Sequence, residues 1–503
     1  MRDTHSFQCG ICIQIQYFDI LLKIGLIMNN ISQHPSIAAI ATPVGEGGIA
    51  VIRVSGKDAI QKVRDCFRGK NLEEAGSHTV HFGRIVKKDG RVVDEVLATV
   101  FRSPKSYTGE DTVEISCHGG VLVTQTVLET ILEMGIRSAE PGEFTQRAFL
   151  NGKLELSQAE AVADLIHAKS MKAVDAAHQQ LEGRLGEHIR TFRQQIIDAT
   201  AMVELELDFI EEDVEFANKE QLRELLISLN REIAGLLDTY ETGRLVKDGV
   251  KTVFIGRPNA GKSTLLNTLV GTDRAIVTHI AGTTRDTIVA DWSYEGLLFK
   301  LIDTAGLRET DDLIEAEGVK RSQKAFENAD LVVYLKDLSR PLVEAECAEI
   351  AGFQKRAVET PFLLIGTKLD LRTPDSGEDI VNHLDVHGIS HQKTNERIRF
   401  DLKISALQGE NIEALKKAMK QRALDNKDYD ASSLLVTSSR HRDALQKARI
   451  NIKHAISALD QGLTGDFLSI DLRAALKELG TITGEITTED LLDSIFSRFC
   501  IGK

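Results

Sequence analysis

Apolar residues in the middle of the chain gather in short runs that alternate with helix-like stretches: "TVFI" at 252–255, "LFKLI" at 298–302, "LVVYL" at 331–335 and "FLLI" at 362–365. Runs of this length, separated by helical patterning, predict a doubly wound α/β sheet. On either side the pattern changes. All eight prolines lie between Pro35 and Pro374, with none between Pro141 and Pro258 and none after Pro374. Proline breaks the helical hydrogen-bond ladder, so two proline-free tracts predict helices flanking the sheet-forming region. The first tract opens with Ser157-Gln158-Ala159-Glu160, an S-x-x-E capping box, followed by Val162, Leu165 and Ile166 at helical spacing, and its helices run to about Val246. The last stretch, "TTEDLLDSIFSRFCIGK", offers Thr487 as a cap with Asp490 three residues on, and puts Leu492, Ile495, Phe496 and Phe499 on one face. From Ile37 to about Leu150, strand-like "GIAVIRVSG" and "VEISCHGG" predict a separate α+β domain. The charged stretch from Pro374 to Glu396 reads as a solvated loop, and no internal repeat is present.

Composition narrows the class. With 503 residues, 42% hydrophobic and 27% charged, the chain suits several cored, water-soluble domains. Its formal charge of -14 argues against coating nucleic acid non-specifically, although a local basic patch is compatible with it. Six scattered cysteines do not form a disulfide framework and fit a reducing, cytoplasmic setting. Residues 1–27 are apolar but broken by Asp19 and Lys23, and Cys9 and Cys12 form a lone C-x-x-C with no second ligand pair. We read them as a spurious extension ahead of Met28. No other segment is long and apolar enough to span a membrane.

Gly256-Arg257-Pro258-Asn259-Ala260-Gly261-Lys262-Ser263 fits G-x-x-x-x-G-K-[ST], after a predicted strand and before helix-like "TLLNTLV". Such a loop wraps phosphates with backbone N–H groups, with Lys262 reaching the β and γ phosphates and Ser263 able to ligate Mg²⁺. Thr264 follows on the same turn. Asp303-Thr304-Ala305-Gly306 ends a strand, where Asp303 can hold Mg²⁺ through water and Gly306 can meet the γ-phosphate. "GTKLD" supplies the base contacts: Asp370 would accept from the guanine ring N–H and exocyclic amine, a donor pair adenine lacks. The usual motif is N-K-x-D, and Thr367 stands in place of its asparagine beside Lys368. That predicts weakened affinity with guanine choice preserved. Ser405-Ala406, after "LKI", form the last guanine-contacting loop.

"DTAGLRET", from Asp303 to Thr310, raises a difficulty at its fifth letter. Many GTPases place a glutamine there to orient the attacking water, and Leu307 has no hydrogen-bonding group. "THIAGTTRD" resembles the first switch of the potassium-activated GTPases. The resemblance implies that Asn259 and the switch at Thr278, Ile280 and Thr283 hold K⁺ against the phosphates, with Thr284 on Mg²⁺ and Arg285 and Asp286 in support. A monovalent cation there stabilises transition-state charge much as an arginine finger does.

From about Ile37 to Lys503 the chain resembles the tRNA-modification GTPase MnmE (TrmE) family, on "ATPVGEGGIAVIRVSG", "PGEFTQRAFLNGKLELSQAEA" and terminal "FCIGK". The resemblance implies a folate-binding, dimerising domain at 28–150, a helical domain in two parts at 151–247 and 425–503, and a P-loop GTPase domain at 248–424 inserted between them. It implies a homodimer that joins the FAD-containing GidA (MnmG) subunit and places an aminomethyl-type group, carboxymethylated in some cases, on C5 of the wobble uridine of tRNA. The one-carbon unit comes from 5-formyl- or methylene-tetrahydrofolate. By motif match Arg53, Glu114, Lys153 and Lys503 fall at folate-contacting positions, Cys500 at the terminal cysteine, and Glu315 at the switch glutamate that orients the water through a second water.

Bland readings stand beside these. Arg53 in a strand is compatible with a surface charge, Glu114 and Lys153 with a rim ion pair, and Cys500 with a small buried apolar residue. Cys117 and His118 in "CHGG" do not make a metal site, and His118 reads as structural. Asp208, Glu211, Glu212 and Asp213 read as a solvated face. The rival function is a ribosome-assembly GTPase that binds and releases rRNA. Such proteins share "GRPNAGKSTLLN" but usually add a second G domain or a basic RNA-binding domain.

Overall fold

The computed structural model describes residues 35–208, 219–272, 288–303, 326–356, 360–372, 399–425 and 433–503. Residues 1–27, the loop 374–396, Thr278, Ile280, Thr283, Thr284, Arg285, Asp286, Thr304, Ala305, Gly306, Leu307 and Glu315 lie outside them. The chain divides into two compact units. One holds residues up to Ala163 together with Gly480–Lys503, and the other holds Asp164–Leu479.

The first unit is built on strands β1 (Ile37–Ile40), β2 (Ile49–Ser55), β3 (Phe67–Gly69), β4 (Thr79–Val86), β5 (Val92–Phe101), β6 (Thr112–His118) and β7 (Arg137–Ser138), in the order β3-β4-β5-β6-β2-β1-β7. All neighbours are antiparallel except β1 and β7. Alternation sends Ile52, Val54, Val96, Ala98, Val100, Val113 and Ile115 to one face, under the helices Ala59–Cys66 and Val121–Leu132. At the β1 end the other face is covered by Phe144 of the helix Glu143–Leu150, packed with Ile37, Ala39 and Tyr107. The β2–β6 register sets Arg53 directly opposite Glu114 on that face.

The C-terminal helix Glu489–Phe496 docks Leu492, Ile495, Phe496 and, beyond it, Phe499 on Leu156 and Ala159, the shared face read from the sequence. Its cap is Thr488, whose hydroxyl accepts from Leu491 N–H, and not the neighbouring Thr487. The predicted capping box shifts likewise. The helix Leu156–His167 starts ahead of Ser157, and it is Gln158 whose side chain accepts from the Glu155 N–H.

The second unit carries β8 (Val250–Ile255), β9 (Ile288–Tyr294), β10 (Leu297–Asp303), β11 (Leu331–Asp337), β12 (Phe362–Thr367) and β13 (Leu402–Lys403), in the order β13-β12-β11-β8-β10-β9. All pairs are parallel except the β9–β10 hairpin. Chain order reverses around β8, so β8 and β11 flank the switch point at whose strand ends ligands bind in open α/β sheets. The helix Lys219–Asp238 buries Leu222, Leu226, Leu229 and Ile233. It packs along Ser439–Asp460, with Arg223 paired to Asp460 at 2.7 Å. The two proline-free tracts thus meet each other.

Candidate functional site

β8 is buried between β10 and β11 and delivers the chain to Gly256, where φ is 155° and a Cβ would run into the Leu335 carbonyl. Glycine is required by that approach. The loop turns through Asn259 at φ 63° and Gly261 at φ 90° into the helix Lys262–Thr272. Asn259, Ser263 and Thr264 are exposed, whereas Ala260 is buried. Lys262, only 6% exposed, donates to the carbonyls of Gly256 at 2.6 Å and Arg257 at 3.2 Å. Its cation is therefore held over the loop whose N–H groups and helix N-terminus favour phosphate. β10 ends at Asp303, which pairs in register with Phe254 of β8, so sheet topology sets the two phosphate motifs on adjacent strands.

The segment expected from the sequence to read the base is assembled on β12 and the loop after β13. Lys368 takes a left-handed φ of 57°, and a short turn, Leu369–Leu371, presents Asp370 to solvent. Leu369 N–H is bonded to Ile404 O at 3.0 Å. The buried Ser405 hydroxyl donates to Asp370 Oδ1 at 2.5 Å and accepts from Gln408 N–H at 3.2 Å, which fixes one carboxylate oxygen. Ala406 O accepts from Thr268 Oγ1 at 3.1 Å, tying this loop to the phosphate-side helix. Thr367, 2% exposed, reaches the phosphate loop through Ala260 O at 2.7 Å.

Sequence reasoning missed Asp337, at the end of β11. Its Oδ2 lies 2.7 Å from Lys368 Nζ, and Ser339 bonds the other oxygen. Burial pushes this carboxyl up, but the Lys368 ammonium and the Ser339 donors outweigh it and hold it below the usual carboxylate range. Its only sequence signal was position, at the end of a buried strand.

A second constellation lies in the first unit. Arg53 Nε pairs with Glu114 Oε1 at 2.8 Å, and its guanidinium carbon sits 5.2 Å from the Tyr107 ring centroid and 5.7 Å from that of Phe144. Arg53 Nη1 is buried and has no hydrogen-bond partner. A buried guanidinium nitrogen without an acceptor is costly and points to an anionic or carbonyl group that would complete it. The surface-charge reading of Arg53 is set aside by this burial. Tyr107 and Phe144 were not found from the sequence. Tyr107 sits on a loop anchored by the buried Arg147, which pairs with Glu110 at 3.1 Å and with Glu143 at 2.9 Å.

The terminal motif enters the same place. Gly502 has φ 96°, and a Cβ on it would strike the Ile40 carbonyl at the end of β1. That close passage brings Lys503 beside Arg53. Burial first, then the Arg53 cation, push the Lys503 ammonium below the ordinary lysine range, with Glu114 opposing. Cys500 is exposed, which removes the reading of it as a buried apolar residue. Lys153 Nζ instead bonds Pro104 O at 3.2 Å on the Tyr107 loop, and no contact joins it to Arg53 or Glu114. His118 Nδ1 lies 2.7 Å from Asp94 and Cys117 is buried, as a structural reading of "CHGG" requires. Among the described residues no group of three His, Cys, Asp or Glu forms a metal cluster, and no helix is long and apolar enough to cross a membrane.

A family model of the MnmE helical domain matches residues 156–500, and one of the GTP-binding protein TrmE N-terminus matches residues 36–153. The tRNA modification GTPase MnmE of Salinibacter ruber is 48% identical over 476 residues, covering 94% of this chain and 100% of that one. The protein of the same name from Clostridioides difficile is 43% identical over 471 residues, covering 93% and 99%. Among solved structures, Aquifex aeolicus Era bound to GDP and AlF4- aligns with 40% of this chain and 66% of its own, at 22% identity and a TM-score of 0.25, too slight a likeness to bear on the fold. Two models spanning both units, and relatives of nearly equal length at this identity, place the chain in the tRNA modification GTPase MnmE family.

Proposed function

We propose that this chain is a cation-activated GTPase of tRNA wobble-uridine modification. The observation that carries it is that Lys262 lies over the phosphate loop after β8 while Asp370, fixed by Ser405, faces solvent after β12, two strands along the same sheet, with Thr367 bonded to the loop at Ala260 O. Ser263, exposed at the start of its helix, would hold Mg²⁺ with Thr284, with Asp303 acting through water. Asn259, exposed on the phosphate loop, would hold K⁺ with Thr278, Ile280 and Thr283, and Glu315 would orient the attacking water in place of Leu307. Bound there, K⁺ would supply positive charge to the transition state.

GTP turnover should therefore be about tenfold or more faster in K⁺ than in Na⁺, and Asn259→Ala should abolish the difference. Equal rates in both salts reject the cation reading.

In the first unit we infer a tetrahydrofolate site. Arg53 and Lys503 would meet folate carboxylates and Glu114 the pterin donor edge. The unpartnered Arg53 Nη1 supports this. Lys153 would contribute only by leaving its Pro104 contact. The helical tracts on both sides of the sheet would form one domain with the G domain inserted. Val80, Phe82 and Leu97, exposed together on β4 and β5, support pairing of two copies through this sheet. The FAD-containing GidA (MnmG) subunit and tRNA would complete the assembly.

Exposed Cys500 would act as the thiol of the modification chemistry. Cys500→Ser should leave GTP hydrolysis unchanged while the modified wobble nucleoside disappears from tRNA digests. Unaltered nucleosides would count against a reacting thiol.

A further inference from the structure

Thr367 occupies the asparagine position of the guanine motif, and its surroundings give it a different task. Its side chain is 2% exposed at the end of β12. The hydroxyl lies 2.7 Å from Ala260 O on the phosphate loop and 3.1 Å from Lys336 O at the end of β11. Both neighbours are carbonyl oxygens, which only accept, so the hydroxyl must donate to one of them. A threonine hydroxyl carries a single proton. That proton is therefore used inside the protein, and none remains for the N7 or O6 acceptors of a guanine. An asparagine amide carries two N–H donors and is free to serve loop and base at once.

We propose that Thr367 is a positioning residue that ties the phosphate loop to the base-reading strand and makes no hydrogen bond to the base. Guanine is then chosen by Asp370 and the Ser405-Ala406 loop alone, and Thr367 contributes to the affinity for every nucleotide equally. Two further contacts fit this. A Cβ placed on Gly261 would have Thr367 as its nearest neighbour, at 3.9 Å, so the side chain packs on the loop itself. The adjacent Lys368 is turned to Asp337 at 2.7 Å, so the whole "TKLD" entry is anchored to protein groups before Asp370 is reached. The inference rests on the reading of residues 256–263 and 367–370 as the nucleotide site.

The test uses the full chain and three ligands: GDP, 7-deaza-GDP, which has carbon in place of the N7 acceptor, and ADP. GDP and 7-deaza-GDP should bind the unsubstituted protein within about twofold of each other, with ADP far weaker. Thr367→Val keeps the shape and removes the hydroxyl, and should weaken GDP and 7-deaza-GDP by the same factor, about tenfold. Thr367→Ser should restore both. A tenfold preference of the unsubstituted protein for GDP over 7-deaza-GDP overturns the proposal, as does undiminished GDP affinity in Thr367→Val. If Thr367→Val does not fold, the GDP to 7-deaza-GDP ratio of the unsubstituted protein decides alone. Absence of binding to all three ligands would reject the nucleotide site itself, and the tether with it.

Discussion

Asp370→Asn should turn the protein from a guanine-nucleotide binder into a xanthine-nucleotide binder. The Asp370 carboxylate only accepts, and one of its oxygens already takes the Ser405 hydroxyl at 2.5 Å. The remaining acceptor sites match two adjacent donors, the ring N–H and the exocyclic amine of guanine. An amide presents one acceptor and one donor instead. It faces the guanine amine donor-to-donor but pairs with xanthine, where a carbonyl replaces that amine. Hydrogen bonds to a charged group are each worth about 1.5–3 kcal/mol, so GDP affinity should fall by about 100- to 1,000-fold while XDP affinity rises by a comparable factor. The fold should survive, because Asp370 is exposed and the amide oxygen can still accept from Ser405. Competition of GDP, XDP and ADP against a labelled nucleotide would show it. Loss of all three without a gain for XDP would mean that Asp370 shapes the loop and does not read the base.

The parts legible in the sequence were those whose physics is local. β8, β10, β11 and β12 were found because strands covered on both sides are largely apolar, with Lys300 the break in "LFKLI": β11 is buried at every residue. β9 was missed. In "IVADWSY" the buried Trp292 sits beside Asp291, which pairs at 2.7 Å with Lys169 in the link after the helix Leu156–His167, so the polar residue that obscured the strand is held by a part of the chain distant in sequence. β4 and β5 were missed because exposed Phe82 and Leu97 break the expected alternation. Thr487 and Thr488 are equivalent as caps on local grounds, and docking of Phe496 and Phe499 decides between them. The loop at residues 256–263 was readable because its motif places glycine where the backbone turns to positive φ, at Gly256 and Gly261. Tyr107 was not, because only closure of its loop over the sheet brings its ring to Arg53.

Arg53→Gln should strip the first unit of folate affinity and change how the remaining affinity depends on pH. The guanidinium pairs with Glu114, stacks on Tyr107 and Phe144, and has one buried nitrogen without a partner. Its removal should weaken 5-formyl-tetrahydrofolate by about 100-fold, the scale of deleting a charge-assisted hydrogen bond in a partly buried site. The pH effect is set by Lys503. Burial and then Arg53 depress its ammonium below the ordinary lysine range, so in the ligand-free protein it loses its proton early. An anionic ligand needs that proton back. Folate affinity should therefore fall as pH rises through the depressed value, below the lysine reference of about 10.4. Ligand-free stability should move the other way over the same window, because there the unfolded chain binds more protons than the folded one. Arg53→Gln deletes the second of the two depressing causes and leaves burial, so the inflection in affinity should shift upward without reaching the reference value. Titration calorimetry in buffers of different ionisation heat, carried up to pH values near the lysine reference, where the ligand-free amine has lost its proton, would register the same event as proton uptake on binding. An inflection that stays fixed in Arg53→Gln, or binding without proton uptake, would place Lys503 outside the folate site and leave the terminal "FCIGK" to act through Cys500 alone.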